Sequence, residues 1–240
     1  GWMHDFLEYM KLDPYFRKFN HNKMTFGITY CTSENFILVL SHDEVVHLKC
    51  SMINKMPGEY EDKFANLKVG YTFMLGHPGK KLLFMGQDFG QFHEWDEKVS
   101  LDWYLTKEPF HADLQNYVKG LLTLYHKYPA LYRLDEEYDG FQWINANDGD
   151  RSIFSFIRRD ETQKKNLLFI CNFTPVDRDD YRIGVPKRGT YTLLLDQEHG
   201  YYKRGDKISH YRSIKSECDG QPYHVAYPLA PYEVAVFAFN

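Results

Sequence analysis

Four consecutive polar residues that could take part in binding or catalysis follow an apolar run of the chain. They are Ser41, His42, Asp43 and Glu44, and a histidine, His47, lies three positions beyond them. Polar residues that follow a buried strand lie where parallel α/β barrels place their active sites, so His42 and Asp43 can face a binding site. The same residues also suit the start of a helix, with Ser or Asp as the cap and Glu just inside. Residue types alone leave both interpretations open.

Other chemistry is less well supported by the spacing. His42 and His47 are five positions apart, whereas two histidines on one helix face are four apart, as in the HExxH zinc motif. Ser41 lacks the G-x-S-x-G context of a nucleophilic serine. Gly86 and Gly90 match neither the phosphate loop nor the dinucleotide fingerprint, and we predict that they are turn glycines. No metal or cofactor is expected.

The residues around this segment predict alternating strands and helices. Apolar runs at 36–40 and 81–85 read as strands buried on both faces, and each turns polar at its C-terminal end. Between them, one helix face is marked by Phe64, Leu67, Tyr71 and Leu75, and a second helix covers 114–125 and stops near Pro129. Two strands cannot form a stable parallel sheet alone. The sequence therefore predicts that residues 1–135 are the C-terminal portion of a (β/α)8 TIM barrel.

From about residue 138 the pattern changes to short β-type segments separated by turn residues. Residues 152–157 alternate with period two after a strong turn signal at 147–150, and further strands are predicted at 166–173, 190–195 and 233–239. Such a series favours an antiparallel β-sandwich, which we assign to residues 136–240.

Composition excludes several classes of protein. Hydrophobic residues make up 43% and charged residues 26%, as in an ordinary folded protein. The net charge of -4 gives no reason to expect a nucleic acid as partner. No apolar run is long enough to span a membrane, and the first ten residues lack the pattern of a secretory signal. Four scattered cysteines suggest free thiols and a cytoplasmic protein. Aromatic residues make up 17% of the chain, and they can either fill a hydrophobic core or stack on sugar rings.

Longer blocks of sequence carry a resemblance to a known family. Residues 41–44 resemble the fourth signature region of the α-amylase superfamily, glycoside hydrolase family 13, and the chain is more specifically similar to bacterial glycogen branching enzymes. The similar blocks span nearly the whole chain and comprise residues 1–5, 40–47, 54–58, 63–67, 77–87, 94–95, 100–103, 171–175 and 180–186.

The resemblance implies a function and roles for four residues. Branching enzymes cut an α-1,4-glucan and join the freed segment through an α-1,6 bond, using a retaining mechanism. Asp43 matches the carboxylate that stabilises the transition state, and His42, Glu44 and Trp95 are expected to bind substrate, which would be glycogen or amylose. The segments with the nucleophilic Asp and the acid/base Glu have no counterpart here, so the isolated chain is expected to be inactive.

The sequence departs from the family pattern at three positions. Leu48 and Cys50 stand where glycines are usual, and Asp88 stands where Glu is usual. The loss of two glycines matters if this loop needs a positive φ. Two alternative functions stay open: a noncatalytic glucan-binding module, and a fragment of a hydrolase of the same superfamily. The oligomeric state does not follow from the sequence.

Overall fold

The computed structural model describes residues 1–33 and 37–240. Of the first predicted strand, residues 37–40 are in β conformation and Phe36 lies outside the described residues. The helices are α1 (Trp2–Lys11), α2 (Pro14–Arg17), α3 (Asn22–Thr25), α4 (Tyr60–Gly76) and α5 (Pro109–Lys127). The strands of the first half are β1 (Ile37–Leu40) and β2 (Lys80–Leu83). Within the described residues, no helix is long and apolar enough to cross a membrane.

Strand β1 pairs in parallel with β2, and α4 connects the two. Leu38 and Leu40 of β1 are fully buried, as the apolar run predicts. The predicted order of strand, helix, strand and helix is thus observed. Strand β2 ends at Leu83 rather than at residue 85 as predicted. The reason is that the Phe84 N–H donates to the Gln87 side chain (3.2 Å), at the start of the turn that contains Gly86.

The second half consists of β-strands in two sheets. The strands are β3 (Phe141–Asp148), β4 (Ile153–Arg158), β5 (Asn166–Asn172), β6 (Arg178–Val185), β7 (Thr190–Asp196), β8 (Gly200–Tyr201), β9 (His210–Arg212), β10 (Tyr223–Leu229) and β11 (Val234–Phe239). The large sheet has the order β3-β4-β5-β11-β7-β8, with β9 also paired to β7, while β10 and β6 form the small sheet. All pairings in both sheets are antiparallel, as predicted.

The four predicted strands of this half correspond to β4, β5, β7 and β11, with ends that differ by one residue. Strands β3, β6, β8, β9 and β10 were not predicted from their alternation or turn signals. The predicted turn at 147–150 is wrong in its first half, because β3 continues to Asp148 and the turn itself spans Gly149–Arg151. Asn145 and Asn147 look like turn residues in sequence, yet both lie in β3.

The large sheet is covered on both faces. On one face, Phe154 and Phe156 pack against Phe73 of α4, with ring centroids 5.7 and 5.9 Å apart. On the other face, Ile157 and neighbouring aliphatic residues pack with Ile183 of the small sheet. Every residue of β4 and β5 is therefore buried. The helices form the layer on one face of the large sheet, and the small sheet forms the layer on the other.

Helix α4 ends where it approaches this sheet most closely. A Cβ on Gly76 would lie 2.7 Å from the Phe156 ring and 2.8 Å from the Phe169 ring. A side chain larger than hydrogen therefore does not fit unless the rings move.

A buried arginine joins the helical half to the large sheet. Arg158 of β4 is 0% exposed, and its guanidinium donates to the carbonyl groups of Gly76 (2.7 Å) and Gly140 (3.0 Å) and to Asp135 Oδ1 (2.8 Å). Lys80 contacts the second Asp135 oxygen at 3.1 Å. Burial by itself would raise the pKa of Asp135, but the positive charge of Arg158 and other nearby cations outweighs it and holds the pKa below its ordinary value.

A second buried arginine makes an equivalent connection at the other end of the interface. Arg17 is 0% exposed and donates to the carbonyl oxygens of Phe173 and Met10 and to Asn66 Oδ1, at 2.7 to 2.8 Å. Through these bonds it links α2 to the start of the chain, to α4 and to the end of β5.

Replacing Arg158 by alanine should lower the free energy of unfolding by about 3–5 kcal/mol, because the buried Asp135 carboxylate would lose its buried partner and keep only Lys80, whose side chain is 59% exposed. Chemical denaturation at pH 7 measures the change. Arg133→Ala is the matched control: its ion pair with Glu161 joins side chains that are 57% and 47% exposed, and such pairs contribute at most about 1 kcal/mol. Equal losses for the two variants would contradict the role assigned to Arg158.

Because of His77, the free energy of unfolding should fall as the pH is lowered. Its ring is 1% exposed, packs 4.8 Å from the Trp2 ring, and places Nδ1 2.9 Å from the Pro78 carbonyl oxygen. Burial lowers the pKa of His77 to about 3. The unfolded chain, with an ordinary histidine pKa of about 6.5, therefore binds one more proton between these two values.

The free energy of unfolding should accordingly fall by about 1.4 kcal/mol per pH unit from this residue as the pH drops below 6.5. His77→Gln should reduce the slope of unfolding free energy against pH by that amount, as measured by urea denaturation at several pH values. His126→Gln is the control, because His126 is exposed on α5. An unchanged slope in His77→Gln would refute the assignment.

Candidate active site

Asp43 lies at the C-terminal end of β1, in a short 3-10 turn that spans His42–Glu44. Ser41 caps this turn: its Oγ accepts the Asp43 N–H (3.3 Å) and donates to Asp43 Oδ2 (3.1 Å). The residues thus follow a strand and begin a capped helical turn, and a binding role for His42 and Asp43 stays a prediction. The Asp43 side chain is 64% exposed, so its carboxylate is accessible in this chain.

His42 lies next to Asp43, and Trp95 lies against His42. His42 Nε2 is 3.2 Å from Asp43 Oδ1, and the His42 ring meets the Trp95 ring edge-on at a centroid distance of 6.0 Å. Phe84, which follows β2, contacts both rings, at 5.8 Å from His42 and 5.1 Å from Trp95. The structure thus brings together a carboxylate, an imidazole and an aromatic surface from three segments of the chain.

Glu44 occupies a different position from the other predicted residues. Its side chain is 12% exposed, and Oε1 lies 3.3 Å from Lys49 Nζ and 3.6 Å from His4 Nε2. Lys49 Nζ also donates to the Asp43 carbonyl oxygen at 2.8 Å. Glu44 is therefore engaged by internal partners behind Asp43, and its direct contact with substrate stays a prediction.

The loop that follows the 3-10 turn has an unusual backbone. His47, Leu48 and Cys50 have φ values of 56°, 65° and 67°, a region that non-glycine residues rarely adopt. The positive φ that the sequence raised as a condition at Leu48 and Cys50 is thus present, although neither residue is glycine. Glu94 lies against this loop, and its two carboxylate oxygens accept the N–H groups of Leu48 (2.9 Å) and Cys50 (2.6 Å).

A buried glutamine connects the ends of the two parallel strands. Gln87 is 3% exposed, its Nε2 donates to the Leu40 carbonyl oxygen (3.0 Å), and its Oε1 accepts the Phe84 N–H (3.2 Å). Gly86 and Gly90 flank it with φ values of 79° and 67°, which confirms the prediction that both are turn glycines. The glutamine fixes the segments that carry His42 and Phe84 relative to one another.

Three residues of this region had no role in the sequence interpretation. Glu94 and Gln87 act largely on backbone groups that are distant in sequence, so no spacing rule points to them, whereas the partners of Lys49 lie only five and six positions away. Glu94 bonds to amides 44 and 46 positions away, and Gln87 to a carbonyl 47 positions away. In the described residues, no group of three or more His, Cys, Asp or Glu side chains is arranged to hold a metal ion.

Known proteins are similar to this chain over its whole length. Residues 143–240 match the family model of the alpha amylase C-terminal all-beta domain. The chain is 54% identical to the 1,4-alpha-glucan branching enzyme GlgB of Butyrivibrio fibrisolvens, with 100% of this chain and 38% of the relative covered. It is 46% identical to the enzyme of the same name from Aquifex aeolicus, with 95% of this chain and 38% of the relative covered. The chain therefore spans somewhat over a third of the length of these curated relatives.

Solved structures share the fold at low sequence identity. Pullulanase type I from Bacillus subtilis, solved with maltose, has a TM-score of 0.65 at 14% identity over 92% of this chain and 31% of its own. The alpha-amylase from H. orenii has a TM-score of 0.59 at 15% identity over 100% of this chain and 48% of its own. These similarities place the chain among α-amylase-type folds that contain a C-terminal all-β domain.

Gln87→Ala should lower the free energy of unfolding by about 1–3 kcal/mol, because it leaves the buried Leu40 carbonyl and Phe84 N–H without a partner. Urea denaturation measures this loss. Gln115→Ala is the control, since Gln115 lies half-buried on α5 and bonds only to Asp88 among the contacts described. If both variants unfold at the same urea concentration, the hydrogen bonds of Gln87 do not contribute to the free energy of unfolding.

Proposed function

We propose that this chain, which belongs to the family of 1,4-alpha-glucan branching enzymes, supplies the transition-state-stabilising side of a glucan branching site. In the complete site an α-1,4-glucan is cleaved and the freed segment is transferred to form an α-1,6 branch. The observation that carries the proposal is the exposed Asp43 carboxylate beside His42, whose ring meets Trp95, in a chain 54% identical to a branching enzyme.

Asp43 would act on the sugar ring as it distorts. Retaining glycosyl transfer passes through an oxocarbenium-like transition state, and hydrogen bonds to ring hydroxyls strengthen as that state forms. A charged acceptor held in place before the reaction stabilises the transition state more than the ground state. The Ser41 hydroxyl and His42 imidazole, at 3.1 and 3.2 Å from the two carboxylate oxygens, hold Asp43 in this orientation.

His42 and Trp95 would bind the same sugar. The imidazole is 52% exposed and offers a hydrogen-bond group beside the carboxylate. The Trp95 ring, packed edge-on against Phe84, presents an aromatic surface of the kind that covers apolar faces of glucose units. The solved pullulanase with maltose is a fold neighbour, which supports an α-glucan as the ligand class. The chemistry needs no metal or cofactor, because carboxylates carry it.

Residues 1–135 would form the last units of a (β/α)8 barrel, and residues 136–240 the β-sandwich domain. The parallel pairing of β1 and β2 through α4 supports this division. A further support is an apolar groove beside β2 that is lined by Leu83, Met85, Met74 and Leu121, where additional barrel elements would pack. The boundary at 135/136 falls between α5 and β3.

The nucleophile and the general acid would come from barrel strands outside this sequence. The isolated chain should therefore not branch amylose. We also infer a cytoplasmic protein, in line with four cysteines that are all free thiols, two of them buried.

A chimera tests the proposal. The Butyrivibrio fibrisolvens enzyme, with its aligned segment replaced by this chain, should form α-1,6 linkages from amylose. Asp43→Ala in the chimera should lower kcat by about 100-fold or more, because a charged group that stabilises the transition state is lost. Linkage analysis of the products and the rate of branching are the measurements.

Asp96→Ala is the matched control and should keep nearly full activity, since Asp96 is exposed. Full activity of Asp43→Ala would refute the role of Asp43. Shorter linear products without α-1,6 bonds would instead assign the chain to a hydrolase. An inactive chimera whose isolated chain still binds amylose would support a noncatalytic glucan-binding module.

A further inference from the structure

The loop at residues 47–50 adopts a backbone conformation that its own residues do not favour. Three of its non-glycine residues, His47, Leu48 and Cys50, have φ between 56° and 67°, and such conformations need to be held by their surroundings. Leu48 gains nothing from burial here, because its side chain is 96% exposed. Contacts of its backbone must therefore hold Leu48 in this conformation.

Glu94 makes those contacts. Its Oε2 accepts the Leu48 N–H at 2.9 Å and its Oε1 accepts the Cys50 N–H at 2.6 Å. Hydrogen bonds from amides to an ionised carboxylate are among the stronger ones in proteins. Both oxygens of Glu94 are thus engaged by the loop. The adjacent Trp95 N–H donates to the Val45 carbonyl at 3.0 Å, which joins the same two segments a second time.

The loop in turn carries a group that contacts Asp43. Lys49 lies between the two amides held by Glu94, and its Nζ donates to the Asp43 carbonyl oxygen (2.8 Å) and to Glu44 Oε1 (3.3 Å). Lys55 Nζ donates to the Lys49 carbonyl oxygen from the other side. The 3-10 turn that contains Asp43 is thus held by Lys49 of the loop that Glu94 binds, as well as by Ser41.

We infer that Glu94 is a positioning residue for Asp43: its carboxylate holds Leu48 and Cys50 in the left-handed conformation, which places Lys49 against the turn that carries Asp43. This inference rests on the proposed glucan site for its functional consequence. Its structural part stands on the two hydrogen bonds and the three positive φ values alone.

Amide hydrogen exchange in the full 240-residue chain tests the structural part. Glu94→Ala should speed exchange at the Leu48 and Cys50 amides by about tenfold or more, because each loses a charge-assisted bond. Glu94→Gln should have a smaller effect, because its amide oxygen can still accept one N–H. Glu97→Ala is the matched control, since Glu97 is an exposed acid three residues further along the same loop. Equal exchange in Glu94→Ala and Glu97→Ala would overturn the inference.

Maltoheptaose binding, measured by calorimetry, tests the functional part. Glu94→Ala should weaken binding by several-fold, and adding Leu48→Gly and Cys50→Gly to that variant should restore most of it, since glycine adopts positive φ without steric strain. A general loss of stability would not be rescued in this way. Weak binding that the two glycines leave unrestored would overturn the inference.

The exchange and binding measurements also separate this inference from the proposed function. If the wild-type chain binds no maltoheptaose while the Leu48 and Cys50 amides still depend on Glu94, the glucan contact of the isolated chain fails and the positioning role stands. If binding occurs but exchange is indifferent to Glu94, the positioning role fails and the glucan site stands.

Discussion

The contact between α4 and the large β-sheet is the interaction on which the rest of the structure depends. Strands β4 and β5 are buried at every residue, so the sheet needs an apolar layer on each face. The small sheet covers one face, and the helical half covers the other through Phe73 and its neighbours. Arg158 and Arg17, which are both fully buried, donate to backbone carbonyl oxygens and polar side chains at this interface. Burial of the aromatic rings favours the contact, and the directional hydrogen bonds of the arginines restrict the orientation in which the halves can pack.

This contact also determines where the candidate site lies. Helix α4 runs between β1 and β2, so anchoring α4 on the sheet fixes the connection between the two parallel strands. Their C-terminal ends then lie side by side, and Gln87 joins them directly. The site therefore stands on rigid elements, while the loop that carries Lys49 is held by hydrogen bonds from Glu94.

The sequence predicted those parts of the fold that depend on local patterns. The run at 36–40, the helix face around Phe64 and Leu67, and the position of His42 and Asp43 after a strand all follow from periodicity and burial. Strand β3 was missed because Asn145 and Asn147 resemble turn residues, while pairing with β4 makes the segment a strand. Tertiary pairing of this kind is invisible to a local pattern. For the same reason, the contacts of Glu94 and Gln87 with backbone groups more than 40 positions away could not be predicted.

The departures from the family pattern at Leu48 and Cys50 are the clearest case in which structure changes the interpretation of sequence. A missing glycine usually indicates either a changed backbone or a strained one. Here Leu48 and Cys50 have positive φ, so the strain is present and has to be offset by neighbouring contacts. The Glu94 carboxylate contacts both strained positions at once, and it is fixed in place through the Trp95 N–H. The same Glu94 carboxylate therefore links the strained backbone of the loop to the position of Lys49, which contacts the turn that carries Asp43.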